Sequence, residues 1–311
     1  MSYKHVIELF DLLDSPGASG EVAATFLKKY GANDVFVETV TGKGGETDMV
    51  HVTIPGANGK LMGGSARTLG IIGRLGGIGA RPEQIGFVSD GDGALTVLAA
   101  AAKLLEMSMR GDKLDGDIII ATHIDPDAPT RPHDPVPFMD SSIDMAVNNE
   151  YEVYPEMDAI LSVDTTKGNR ICNHNGFAIT PTIKEGWILR ISDTLLNIVE
   201  RTSGNSAVIM PITLQDITPY ENGIFHVNSV VQPTTATAAP VVGVAITTET
   251  MVAGCATGAT NIAVIESTVR FIIEVAKDYG RGIADFYDEA EFQSLTDRYG
   301  SLKHLQGLGN Y

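Results

Sequence analysis

Four apolar residues, Ile118 to Ala121, run without a break into a cluster of ionisable side chains: His123, Asp125, Asp127, Arg131, His133 and Asp134. The apolar run reads as a strand buried on both faces. The segment after it is barred from helix, because Pro126, Pro129, Pro132, Pro135 and Pro137 remove backbone donors and stiffen the chain. A buried strand that stops at a rigid loop of imidazoles and carboxylates predicts an open α/β sheet with its site at the carboxyl edge.

The neighbouring sequence supplies partners for that strand. Gln84 to Ser89 reads as a strand, Asp90-Gly-Asp-Gly93 as a turn at its end, and Ala94 to Met107 as a helix rich in alanine and leucine. With residues 118–121 they compose a right-handed βαβ unit. That unit sets Asp90, Asp92, His123 and Asp125 on one sheet edge. Asp158 to Asp164 repeats the pattern, an apolar strand closed by a carboxylate, ahead of Thr165-Thr-Lys-Gly168. Some of these residues also have a local structural role open to them, though a buried strand end has no structural need of the pair His123 and Asp125. Asp90, Asp92 and Asp164 are good turn and cap residues, and Arg131 and His133 suit an exposed loop.

Elsewhere the spacing predicts a helix over 4–13 and a second one capped by Ser19 and closed at Tyr30-Gly31. Val35–Val40 and Met49–Ile54 alternate as a pair of strands around Lys43-Gly-Gly45. Ala66–Leu75 reads as a helix dissolving into Gly76-Gly77-Ile78-Gly79, which does not match a dinucleotide loop. Further expectations are an edge strand over Phe177–Ile183, a helix over 187–202, strands over Ala207–Met210 and Val241–Ile246, a helix over 258–279, and short helices over 281–308. No linker is evident. The expected architecture is one α/β domain over 1–311, a three-layer α/β/α sandwich with a mixed, mostly parallel sheet, its core at about 4–280 and a helical extension at 281–311.

The chain is 43% hydrophobic and 20% charged, enough to bury a sizeable core. A net charge of −17 argues against nucleic acid as a partner. No apolar run has the length of a membrane span. The N-terminus lacks a signal-peptide cleavage pattern, which points to the cytoplasm. Cys172 and Cys255 have no zinc-type CxxC spacing and read as small buried residues. The carboxylates and imidazole at the strand ends suit zinc, manganese, cobalt or iron better than calcium.

Four stretches resemble the M42 metallo-aminopeptidases and, more loosely, the M20 and M28 zinc peptidases. They are Leu12-Leu-Asp-Ser-Pro-Gly-Ala-Ser-Gly-Glu21, Val50-His51-Val52, Asp90-Gly-Asp92 ahead of its alanine-rich helix, and Asp158-Ala-Ile-Leu-Ser-Val-Asp164-Thr. The chain as a whole resembles the DUF1177 family. The peptidase resemblance implies a zinc-peptidase core and a metal-dependent hydrolase of a peptide, amide or related small C–N bond. Asp90, Asp92, His123, Asp164 and His51 would hold a divalent ion, zinc first and manganese or cobalt next. Asp125 or Asp127 would act as general base, and Arg131 and His133 would orient a substrate carboxylate. Homo-oligomers are expected on the same ground.

The sequence also departs from the peptidase pattern. His51 is followed by Val52-Thr53 rather than by x-Asp. Thr122-His-Ile-Asp125 stands where paired glutamates belong, residues 248–258 offer no histidine, and no lid fits between His51 and Asp90. Two other readings therefore stand beside the hydrolase: a non-catalytic small-molecule binder of the same fold, and a metal-free enzyme using His123 as acid–base.

Overall fold

The structure is a computed structural model that describes residues 1–74, 76–226 and 229–307. Its N-terminal part is α1 (Tyr3–Asp14), α2 (Gly20–Lys29), β1 (Asp34–Thr41), β2 (Glu46–Ile54), β3 (Leu69–Gly73), α3 (Asp92–Met109) and β4 (Ile118–Ile124). A short ribbon, β5 (Thr130–Arg131) with β6 (Phe138–Met139), then leads to α4 (Met145–Glu152) and β7 (Ala159–Thr165). The remainder is β8 (Gly176–Ile179), β9 (Ile183–Lys184), β10 (Trp187–Ile188), α5 (Asp193–Ser203), β11 (Val241–Thr247), α6 (Ile262–Gly280) and α7 (Glu289–Tyr299).

The main sheet runs β1-β2-β4-β3-β7-β11-β9-β10, with β8 also paired to β11. Its centre, β4-β3-β7-β11, is parallel. The β1–β2 hairpin joins β4 antiparallel at one side, and β8 and β9 join β11 antiparallel at the other. This is the expected mixed α/β sheet flanked by helices.

Side-chain alternation divides the sheet into two faces. Ile71, Ile118, Ile120, Leu161, Val163, Val242 and Val244 enter one large core together with α1, α2, α3 and α6. Ile72, Ile119, Ile160 and Val241 point the other way, toward Met157, Val153 and Tyr154 at and beyond the end of α4. The helical cover is therefore unequal, thick on the first face and thin on the second.

The expected helix over 66–75 is instead the central strand β3, parallel to both β4 and β7; Leu75 lies outside the described residues. All five residues of β3 are buried, so the run shows no alternation, and a short apolar run carries no period that separates helix from strand. Its glycines fit the crowding: a Cβ on Gly70 would lie 2.3 Å from Met157 Sδ. Gly76 to Gly79 do not end a helix. They let the backbone after β3 lie against the one after β4, with Asp125 N–H donating to the Gly76 carbonyl at 2.9 Å and a bridge between Gly77 and Asp125.

Residues 84–89 form no named strand, and Val88 makes one isolated bridge, to Thr257. The βαβ unit is thus β3-α3-β4. The expected helix over 187–202 begins only at Asp193, capped by Ser192, and Trp187 lies in β10. Of the strand expected at 207–210, the described residues show one bridge, Ile209 to Ile179.

Candidate functional site

Three parallel strands end side by side, and each delivers an ionisable group. Arg74 follows β3, His123 is near the end of β4, and Asp164 is near the end of β7. Counting along each strand, all three share the face of Ile72, Ile119 and Ile160, the face beneath α4. Arg74 has no exposed surface and pairs with the equally buried Glu152, the last residue of α4. Glu152 uses its other oxygen for His123, with Oε1 at 2.8 Å from Nδ1. The backbone N–H of Gly76 donates to His123 Nε2 at 2.9 Å. Nε2 is therefore an acceptor, so the ring proton sits on Nδ1 and is donated to Glu152. Burial works against ionising Glu152, but Arg74 and His123 outweigh it and hold the carboxyl below its usual range. Breaking such a buried pair by removing one partner costs about 3–5 kcal/mol. Both nitrogens of His123 are committed, which leaves none for a metal or for proton transfer.

The carboxylates lie beside this chain of groups. Asp92 opens α3 with no exposed surface; its Oδ2 accepts from Lys167 Nζ at 2.7 Å and its Oδ1 from Thr260 Oγ1 at 2.7 Å. Asp164 accepts from the Ser229 hydroxyl, while its Oδ1 is buried without a partner. Asp125 accepts from Ser142 N–H at 3.3 Å, and its Oδ1 is likewise buried and unpartnered. Asp90 sits between two glycines; a Cβ on Gly77 would come within 3.3 Å of its Oδ2, and one on Gly254 within 3.2 Å of its Oδ1.

Burial, and then the charges of Asp164 and Asp92, push the Asp90 carboxyl well above its ordinary range. Burial raises Asp125 and Asp92 as well. It lifts Asp164 to about 7, against the pull of Ser229 and Arg74. Five buried carboxyl groups, Asp90, Asp92, Asp125, Glu152 and Asp164, thus surround two buried cations, Arg74 and Lys167. Burial, together with this excess of carboxyls, favours the protonated forms of the four aspartates.

Asp90 and Lys167 open onto a cavity of about 530 Å³. Its acidic lining adds Asp140, Asp144 and Glu221, and its apolar wall includes Phe138, Met139, Met145 and Met251. Tyr220 and His226, their rings 4.4 Å apart, and Ser229 close another side. His133 lines the same cavity, whereas Arg131 is exposed on the β5–β6 ribbon and paired with Asp140 at 2.5 Å. Asp127 is exposed and makes a backbone bridge to Ala80. His51 is paired in register with Ala121, its ring 4.4 Å from Tyr154, away from the carboxylates. The fold thus brings together Asp90, Asp92, Asp125, His123 and Asp164; it leaves His51, Asp127 and Arg131 apart.

Arg74, Glu152 and Lys167 did not emerge from the sequence reading. Arg74 carried a signal, a single charge inside the apolar and glycine run 69–79. Lys167 carried a weaker one, a cation three residues beyond Asp164. Glu152, in a polar helical stretch, carried none.

The donor set does not fit an ion centre of imidazole and carboxylate. The imidazole at the strand ends is locked by Gly76 and Glu152, and both oxygens of Asp92 face protein donors, one of them an ammonium. Among the described residues, no three His, Cys, Asp or Glu side chains are grouped to hold an ion.

A family model described as "Protein of unknown function (DUF1177)" matches residues 38–309. A search of curated proteins finds no match. Among solved structures, the chain resembles the bottromycin maturation enzyme BotP in complex with Mn, with a TM-score of 0.55 at 13% identity, covering 89% of this chain and 71% of that one. It also resembles the LapA aminopeptidase of Legionella pneumophila, with a TM-score of 0.50 at 11% identity, covering 92% and 72%. Tomato leucine aminopeptidase, solved as a mutant, gives 0.50 at 12%, covering 87% of this chain and 60% of that one. At these identities the likeness is one of fold.

Proposed function

The chain belongs to the DUF1177 family, and we propose that it binds a small ligand with a protonated amine at one end and an apolar body, such as an amino-acid amide or a peptide N-terminus, in the cavity beside Asp90. The observation that carries this reading is the composition of that cavity, whose lining combines the acidic Asp90, Asp144 and Glu221 with the apolar Phe138, Met139, Met145 and Met251, while Asp140 is already paired with Arg131 and Lys167 with Asp92. The crowded carboxyls beneath it favour a cation. An ammonium arriving at Asp90 takes over the role of the proton that crowding otherwise keeps there. The fold is shared with proteins named as aminopeptidases, which supports the same ligand chemistry.

Thermal unfolding tests this. Leucine amide and leucyl dipeptides should raise the melting temperature by several degrees, and their N-acetylated counterparts should not. Asp90→Asn should abolish the shift. Equal stabilisation by the acetylated compounds, or none by any amine, would overturn the reading.

Hydrolysis of an amide in the same cavity is the second reading. It is supported by Asp90, which lines the cavity and whose carboxyl is pushed well above its ordinary range by burial and by Asp164 and Asp92, so that it can hand a proton to a leaving amine. Release of ammonia or amine from the same compounds, assayed with and without added zinc, manganese or cobalt, decides it; no turnover under either condition leaves binding alone.

A further inference from the structure

A chain with the fold of a manganese-bound enzyme would be expected to leave its strand-end carboxylates open to an ion. Here Asp92 is closed. Its two oxygens accept from Lys167 and Thr260, which come from the loops after β7 and after β11. The Lys167 side chain is 4% exposed and Asp92 not at all, yet Lys167 reaches the cavity wall beside Asp90. An ion touching both Asp90 and Asp92 would have to share that space with an ammonium group. Coulomb repulsion in a poorly solvated site opposes this, and Asp92 has no free oxygen to offer in return. Arg74 adds a second fixed positive charge on the Asp164 side, where it favours the ionised carboxylate.

We infer that Lys167 is the site's built-in counter-charge: it occupies the electrostatic position of a divalent ion and keeps such an ion from Asp92. Neutralising it should create a cation site from Asp90, Asp92 and Asp164, which the native chain withholds. Lys167 also opposes a ligand ammonium at Asp90, so this inference and the amine-ligand reading share a prediction of tighter cation binding once Lys167 is neutralised. They are told apart because metal binding is read through Asp92→Asn and amine binding through Asp90→Asn.

The test uses the full chain after dialysis against chelator, titrated with manganese and with zinc chloride by calorimetry, followed by metal analysis of the desalted protein. The native protein should retain sub-stoichiometric metal. Lys167→Ala should bind manganese about tenfold more tightly or better, with a rise in melting temperature that the native chain lacks. Adding Asp92→Asn to that variant should cancel the gain. Lys167→Gln, which keeps a donor for Asp92 while removing the charge, serves if the alanine variant does not fold, and it too should gain metal. Stoichiometric, Asp92-dependent metal in the native protein overturns the inference. So does a neutralised variant that binds no more than the native chain.

Discussion

Asp164 shows how a buried residue couples the site to the stability of the whole chain. Burial lifts its carboxyl to about 7 from an ordinary 3.8. Between those values the folded chain holds a proton that the unfolded chain has released. The contribution is therefore fully present below about pH 4 and is lost as pH rises toward 7. Asp164→Asn keeps an acceptor for Ser229 and removes the titration. Chemical denaturation across this range should show the native protein losing stability relative to the variant, by up to about 1.4 kcal/mol per pH unit. Above pH 7 the difference should level off. A difference that stays constant from about pH 4 to 7 would mean that Asp164 ionises normally in the folded state. Comparing the two chains matters because Glu152 and Glu106 shift in the opposite sense, so the native profile alone mixes both signs.

At the level of elements, the first turn of α3 decides how closely the strand ends approach. Gly93 stands where a Cβ would lie 2.5 Å from the Arg74 carbonyl and 2.8 Å from that of Val163. Both contacts are backbone atoms of the central strands or their ends and have nowhere to yield. Helix propensity alone favours alanine over glycine by about 1 kcal/mol. Overpacking costs about 1–3 kcal/mol, and more against rigid backbone. Gly93→Ala should therefore lower the urea midpoint; a raised midpoint would show that α3 is not seated as described. The same packing explains what the sequence disclosed. α3, β4 and β7 were legible because alanine-rich or apolar runs of adequate length ended at marked turns. β3 was not, since its five residues are buried on both faces and lack a period. Asp125 and Asp164 were legible as carboxylates at strand ends, whereas Asp90 and Asp92, expected after a strand over 84–89, stand instead just before and at the start of α3. The closure of Asp92 by Lys167 and Thr260, and of His123 by Gly76 and Glu152, was not legible, because those partners lie 29 to 168 residues away in sequence. The His123–Glu152 contact depends on α4, a helix of eight residues with no strong apolar stripe.

Across the whole molecule, burial is distributed very unevenly. α3 and α6 are buried along most of their length, so they unfold only with the sheet. α7 buries one side chain, Phe292, in eleven residues. The rest of its attachment lies at the surface: Phe292 against the Tyr287 ring and under Lys184, a partly exposed Arg190–Glu291 ion pair at 3.6 Å, and Trp187 Nε1 donating to the Gly300 carbonyl at 3.3 Å. An element held by so few buried contacts opens at a free energy well below that of the core. The chain supplies its own reporter, since Trp187 is its single tryptophan and its ring lies 6.2 Å from that of Tyr299 at the end of α7. In a urea titration, the tryptophan emission should change at a lower concentration than the helical circular dichroism. Phe292→Ala removes about 3–5 kcal/mol of packing where the site is fully buried. Here it should move the emission transition further down while leaving the main helical transition nearly in place. Coincident transitions in the native chain, displaced together by Phe292→Ala, would instead make α7 part of the same cooperative unit as the sheet.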